Sequence, residues 1–577
     1  MRKSGAFSLA FDGWTTFKGN SLVGVNYRFL DRDNKVREYL LDAIPLDRSH
    51  SAAYLATSIL NRMNGHSTDQ QILFSSATDG ASAVRKASKL LCSKLEDMRI
   101  IFEETKHDDL AECVGPPQTF SDRVAALSFE SDNAEVDRAV HCVAHNLDLT
   151  LREATKNVPQ LSDMIDRIQS TSRVFKRNKE FRDLVEAQVK RLRSAGEKAE
   201  FLSMKLGSET RWNSCLPMLK SYVAMFRPIT FVLVGLFSAK EMGEDDPLKS
   251  LTAFSPLSTA EFSEIREFVK ILDRILLVSL FFQRTSLIIP FVREAIAELY
   301  FELHSLSSSI QFSVCKEFLK AFCSSLKTRF QFFFEPCHPA TAAAILFPLS
   351  FINSVGLQWD CELESLPLSP FEAVMDLVNL TMDYMTVWHT YILPPPKVDT
   401  LPAPPKNPFS PLLSAGSVVS SEISAEQTEA QFNRAIRKYL VALYDRQSEL
   451  ERKEKIYDLK TKPFEEELKK GHRICAEILR TPGMFNADEV ALLQALFGLI
   501  YSTPASTAQT ERVFSKAKFI DNYLRTSLDR TKLEMQVVVR VFLDVLEETD
   551  RAKEFFECLE RWLSSPVDVY NMVCYKY

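Results

Sequence analysis

"SLAFDGWTTF", residues 8–17, begins as an apolar run and ends on a carboxylate, followed by a glycine and a tryptophan. Read as a strand, it delivers Asp12 to its tip. Two chemistries suit that ending. Asp-Gly is a common turn pair. A strand-end aspartate is also a metal ligand whose partners lie downstream. The same ending recurs in "QILFSSATD", a second apolar run that closes on Asp79. Between them, "SLVGVNYRFL" and "KVREYLLDAIPL" read as strands, with a turn-like loop around "DRDN", so the first three strands form a meander. "SAAYLATSILNRMN" has helical spacing, with Ser49 or Ser51 as its N-cap. "GASAVRKASKLLCSKL" is a second helix, and "AVHCVAHNLDLTLREA" reads as a short strand running into a third.

Strand–strand–strand–helix–strand–helix–strand is the order of a ribonuclease-H-like domain. In such a sheet the first and fourth strands are neighbours, so Asp12 and Asp79 meet at one sheet edge. Two acids there repel unless a divalent cation stands between them, and hard oxygen ligands suit Mg²⁺ or Mn²⁺.

Composition bounds the rest. The chain has 577 residues, a soft prior of about four domain-sized units. Glycine is scarce at 16 and phenylalanine abundant at 41, which favours long packed helices over a turn-rich all-β architecture. A net charge of −6 argues against nucleic-acid binding by the whole surface and leaves local basic patches open. The 11 cysteines include no CxxC pair and read as reduced thiols of an intracellular protein. No signal peptide is expected, since Met1 to Ala10 leads straight into a strand. The most apolar stretch, "ILLVSLFFQRTSLIIPFV", is interrupted by Gln283 and Arg284, so it reads as core helix and no membrane span is expected.

Helical periodicity dominates from Val158 to about Ile392, and "LPPPKVDTLPAPPKNPFSP" is then a proline-rich linker near 394–411. Helical pattern resumes from residue 429. The expected architecture is α/β with a large α-helical insertion. Residues 1–224 hold the first part of the core, 225–486 the helical insertion, and 487–577 a C-terminal helical region.

Four further motifs carry candidate chemistry. Cys142 and His145 stand at i, i+3. They suit either half of a zinc site or, more blandly, a packed thiol and a hydrogen-bonding imidazole at the sheet end, and with no second pair in a suitable place no structural zinc is expected. In "SETRWNS", Arg211 beside Trp212 can hold a phosphate and stack on a base, or lay an arginine stem over a core tryptophan. In "STPASTAQTERVFSKA", Ser506 and Gln509 fit a capping box and predict a helix from Thr507, with Glu511 in its second turn as a third metal ligand or a solvated helix residue. "RVFKRNKEFRDLVEAQVKRLRSAGEK", residues 173–198, carries nine Lys/Arg against four acids, and reads as a DNA-holding patch or as a solvated helix face.

Taken in order, "AFDGWTT", "ATDGASAVRKA", "HCVAHNLDL", "TRWNS" and "ASTAQTERVFSKA" resemble the hAT family of DNA transposases, named for hobo, Activator and Tam3. The resemblance covers Ala6–Leu95, Arg138–Leu219 and Ala487–Val545. It implies a ribonuclease-H-like core interrupted by a helical domain, and a C-terminal dimerisation region that completes it. Asp12, Asp79 and Glu511 would be the catalytic triad, holding two Mg²⁺ or Mn²⁺ ions for DNA cleavage and strand transfer. Trp212 would stack on a base extruded from the transposon end, with Arg211 near phosphate. Cys142 and His145 match a motif that shapes the site without binding catalytic metal.

Family members usually carry a BED-type zinc finger ahead of the first acid. Here eleven residues precede Asp12 and no Cys/His cluster occurs, so a chain lacking that finger is expected. The expected protein is nuclear, takes DNA as partner if active, and self-associates as a homodimer or higher assembly. Leu533, Val537, Val538, Phe542 and Leu546 form the apolar stripe expected to pair. The rival reading is a transposase-derived, non-catalytic nuclear dimer that binds DNA or protein, or a decayed transposon fragment. A nuclease of RNA hybrids leaves the insertion and the C-terminal motif unexplained.

Overall fold

Strand β1 (Ala6–Thr15) sorts its side chains onto two faces. Phe7, Leu9 and Phe11 pack under helices α1 (Ala52–Gly65) and α2 (Ser82–Ser93), with Val23, Val25 and Tyr27 of β2 (Ser21–Leu30) in the same core. Ser8, Ala10 and Asp12 alternate with them and fall on the opposite face. Strand β3 (Val36–Leu46) pairs antiparallel with β2, which pairs antiparallel with β1. β4 (Ile72–Thr78) runs parallel to β1, and β5 (Ala139–His141) parallel to β4. The sheet order is β3-β2-β1-β4-β5, so the first and fourth strands are neighbours as expected. Ala10 pairs with Ala77, which leaves Asp12 and Asp79 each two residues further along.

This computed structural model describes residues 6–15, 21–30, 36–46, 51–65, 72–79, 82–93, 139–198, 200–207, 214–241, 257–284, 287–334, 343–344, 346–347, 425–446, 449 and 454–520. The proline-rich stretch 394–411 and the apolar stripe Leu533–Leu546 lie outside them.

Beyond the sheet the described residues are helical: α3 (Val143–Lys156), α4 (Pro159–Arg177), α5 (Lys179–Ser194), α6 (Cys215–Glu241), α7 (Thr259–Phe282), α8 (Pro290–Ser307) and α9 (Ser313–Phe330), then α10 (Ala425–Asp445), α11 (Thr461–Leu479), α12 (Ala487–Ser502) and α13 (Ala508–Ile520). Local chemistry sets several starts. Ser51 Oγ accepts from the Tyr54 amide at the head of α1. The Asn178 side chain accepts from Phe181 N–H and starts α5, while Ser258–Glu261 and Asn486–Glu489 form capping boxes on α7 and α12. The apolar run 275–292 is split between α7 and α8, with Gln283 and Arg284 between them and most of its large side chains buried. Within α6, Cys215–Leu236 is long and apolar enough to cross a membrane by length and composition. Here that helix packs against α4, α5 and α7.

Helix α6 runs unbroken through 224–225, and α3 to α5 share a single apolar core with α6 to α9. Apolar stripes at helical spacing tell that a helix is buried on one side; they do not tell which core it joins.

After this helical core the chain returns to the sheet. Helices α12 and α13 both pack on β1, β2 and β3, on the face carrying Ser8 and Asp12. Ser8 Oγ lies 2.9 Å from Ser75 Oγ and 3.4 Å from Ser502 Oγ of α12. Further along that face, Arg28 donates to Glu38 at 3.0 Å and to the Leu287 carbonyl at 2.6 Å, and Asn26 donates to the other Glu38 oxygen at 3.0 Å. Arg28 is buried and Glu38 largely so, with side chains 4% and 10% exposed. Breaking it leaves a buried guanidinium without its carboxylate, so Glu38→Ala should cost about 3–5 kcal/mol in urea unfolding. Replacing the pair by Arg28→Met with Glu38→Leu should cost less than that single change.

Candidate active site

Asp12 is 7% exposed, on the sheet face covered by α12 and α13. Its Oδ1 accepts from the Gly13 amide at 2.7 Å. Asp79 directly follows β4 and is half-buried; its side chain shares a hydrogen bond with that of Asp12. Glu511 lies in the first turn of α13, half-buried, close enough for its charge to act on Asp12. The structure thus brings together three carboxylates from positions 12, 79 and 511.

The electrostatics follow from that meeting. Burial, then the charges of Asp79 and Glu511, raise the Asp12 carboxyl from 3.8 to about 8, against the opposing Gly13 hydrogen bond. At neutral pH Asp12 holds a proton, which its hydrogen bond to Asp79 uses. Among the described residues no three Asp, Glu, His or Cys side chains close into a finished metal cage. Asp12 and Asp79 share a hydrogen bond, and the charge of Glu511 acts on Asp12. The donors nonetheless fit a divalent cation: all three are hard oxygens, and their repulsion is what a cation would relieve.

What holds Glu511 there is a set of contacts at the end of β5. Cys142 N–H donates to the Thr78 carbonyl at 2.8 Å, and Val143 N–H to the Ala505 carbonyl at 3.0 Å. The Cys142 sulfur accepts from Thr507 N–H at 3.3 Å and lies 3.5 Å from Ser506 Oγ. The His145 amide also reaches that sulfur, and burial pushes the thiol upward. Cys142 therefore serves as a neutral acceptor joining the sheet end to the entry of α13. His145 is half-buried on α3.

The head of α13 differs from the expected capping box. The helix begins at Ala508, whose amide donates to Ser506 Oγ at 3.1 Å. Gln509 accepts from Arg512 at 2.7 Å in place of reaching back. The Thr507 amide, which has no acceptor within the helix, is taken by the Cys142 sulfur. Val513 and Phe514 are buried.

Arg211 and Trp212 lie outside the described residues. In the basic stretch 173–198, Arg173, Lys176, Arg177, Lys179 and Arg191 are exposed on α4 and α5, and Lys190 pairs with Glu186 at 3.0 Å. One feature escaped the sequence reading. Gly24 pairs directly with Asp12 across β1 and β2. A glycine inside "SLVGVNYRFL" was its signal, since an interior strand glycine marks a close approach.

Residues 10–107 match the family described as the ZBED1 RNase-like domain. That match supports a hAT-related, transposase-like fold. It covers Asp12 and Asp79 and stops short of Glu511. The chain is also 31% identical over 100 residues to tpeD of Talaromyces stipitatus, named as a candidate transcriptional regulator. The similarity spans 17% of this chain and 12% of that relative.

The raised Asp12 carboxyl makes stability depend on pH. Its proton is bound more tightly folded than unfolded, so the contribution is full below about 3.8 and is lost as pH rises through about 8. In chelator, Asp12→Asn should melt increasingly above wild type as pH rises from 5 to 9, the gap levelling above 8. Thermal unfolding across that range checks it; a gap independent of pH would place Asp12 outside the acidic cluster.

Proposed function

We propose that this protein is a hAT transposase-derived, ribonuclease-H-like nuclear protein whose acidic centre cleaves and joins DNA strands with a divalent metal. The observation that carries the reading is the approach of Asp79 and Glu511 to a buried Asp12, across 499 positions of sequence. Two strand ends and one helix turn deliver these acids to one place, and each is of the type that holds Mg²⁺ or Mn²⁺.

When bound, the metal supplies Lewis-acid activation of the attacking oxygen and charge stabilisation on the leaving one. The chain's own parts divide as follows. Asp12, Asp79 and Glu511 would hold the metal as carboxylates, with Asp12 deprotonated in that state. Cys142, with Ser506 and Thr507, fixes where α13 starts. Arg211 and Trp212 would meet phosphate and an extruded base, in keeping with their types. The exposed basic sides of α4 and α5 would follow the DNA backbone. Pairing of two chains through the region after residue 487 belongs to the same reading.

The second reading is a DNA-binding regulator that keeps the fold without the chemistry, which the name of the Talaromyces relative favours. One experiment separates them. The purified chain should nick supercoiled plasmid in Mn²⁺, and Asp12→Asn, Asp79→Asn and Glu511→Gln should each lower the rate by about 100-fold or more. Salt-sensitive DNA binding without nicking, unchanged in the three variants, would establish the regulator.

A further inference from the structure

The inner face of β2 has a gap where α13 comes closest. Gly24 and Asp12 are cross-strand partners, so their side-chain positions lie on the same face. A Cβ built on Gly24 would stand 2.8 Å from Thr510 Cγ2, and 3.0 and 3.2 Å from the ring edge of Phe514. Carbon atoms rest at about 3.5–4.0 Å, so a methyl there would lift the helix or push the strand by roughly 1 Å. Thr510 is fully buried, and its hydroxyl donates to the Ala10 carbonyl at 3.4 Å, two residues before Asp12. Thr510 immediately precedes Glu511. Phe514 sits one turn further along and covers the same glycine.

We propose that Gly24 is a positioning residue for the acidic centre: its missing side chain is the socket in which Thr510 seats, and the depth of that seat sets how near Glu511 comes to Asp12. The inference rests on the metal reading given above. Gly24 touches neither metal nor DNA; it acts through α13. The strand would pair equally well with alanine at this position, and alanine has the better strand entropy. The contact with Thr510 is what demands glycine.

Titration of Mn²⁺ into the full chain by calorimetry tests this at one pH. Gly24→Ala should weaken Mn²⁺ binding by about 10–100-fold, the range of groups that orient metal ligands. Adding Thr510→Ser removes the Cγ2 that would clash and keeps the hydroxyl for Ala10, so the pair should recover most of the affinity. Val25→Ala, on the opposite face of the same strand, controls for general loosening and should leave the affinity within about twofold.

Tight binding by Gly24→Ala, or a loss in Val25→Ala as large as in Gly24→Ala, overturns the assignment and leaves the metal reading standing. A wild type that binds no Mn²⁺ overturns the metal reading and this inference with it. Should Gly24→Ala fail to fold, recovery of folding and affinity together in the pair still supports the socket. A pair that recovers neither refutes it.

Discussion

Everything at the candidate centre hangs on a short set of contacts between residues 142–143 and 505–507. Val143 donates to Ala505, and Thr507 donates to the Cys142 sulfur, across some 360 positions of chain. Closing a loop of that length is entropically modest, because the cost grows only with the logarithm of length. The intervening helices fold around their own apolar core and bring the two ends near each other. The closure then fixes the start of α13, and with it the acid that the sheet lacks.

The polar groups buried on the inner face of the sheet follow two rules. Arg28 meets Glu38, and the pairing holds the charges in place. Ser8 meets Ser75 and Ser502 and settles its hydroxyl without any charge. At Asp12 the rule inverts, and acids are crowded together, with Asp12 kept protonated by its neighbours and its burial. Burying a repulsive cluster costs stability, and proteins keep such sites where function uses them. The surrounding helices carry that cost. Glu489, for example, both caps α12 and pairs with Lys438 of α10 at 2.9 Å.

Much of this was legible in the sequence. The two strand-end aspartates could be placed because each closes a short, largely apolar stretch of strand-forming residues and is followed by glycine. The third acid could be placed because "ASTAQTERVF" carries helix-start signals, even though its first residue came out one position late. That error has a physical source. A capping box expects Ser506 to take the amide of Gln509, and in the structure it takes that of Ala508. Periodicity likewise finds the apolar side of α6 but says nothing of the neighbours it packs on. Gly24 was missed because register, which sets it opposite Asp12, is a property of two strands and belongs to neither alone.

The inner face of the sheet also has a bearing on how the chain is made. Ala10 receives its bond from Thr510, 500 residues later. At about 5–20 residues per second, synthesis of that interval takes roughly 25–100 s. During that time β1, β2 and β4 have their outer face covered by α1 and α2, and their inner face open to solvent. A broad apolar surface left bare for so long would stick to other nascent chains. Apart from Leu22, this face instead presents small or hydrophilic groups that water tolerates, among them Ser8, Ala10, Asp12, Gly24, Asn26 and Ser75. The same residues that let two late helices settle closely on the strands thus keep an unfinished sheet soluble while the ribosome completes the rest.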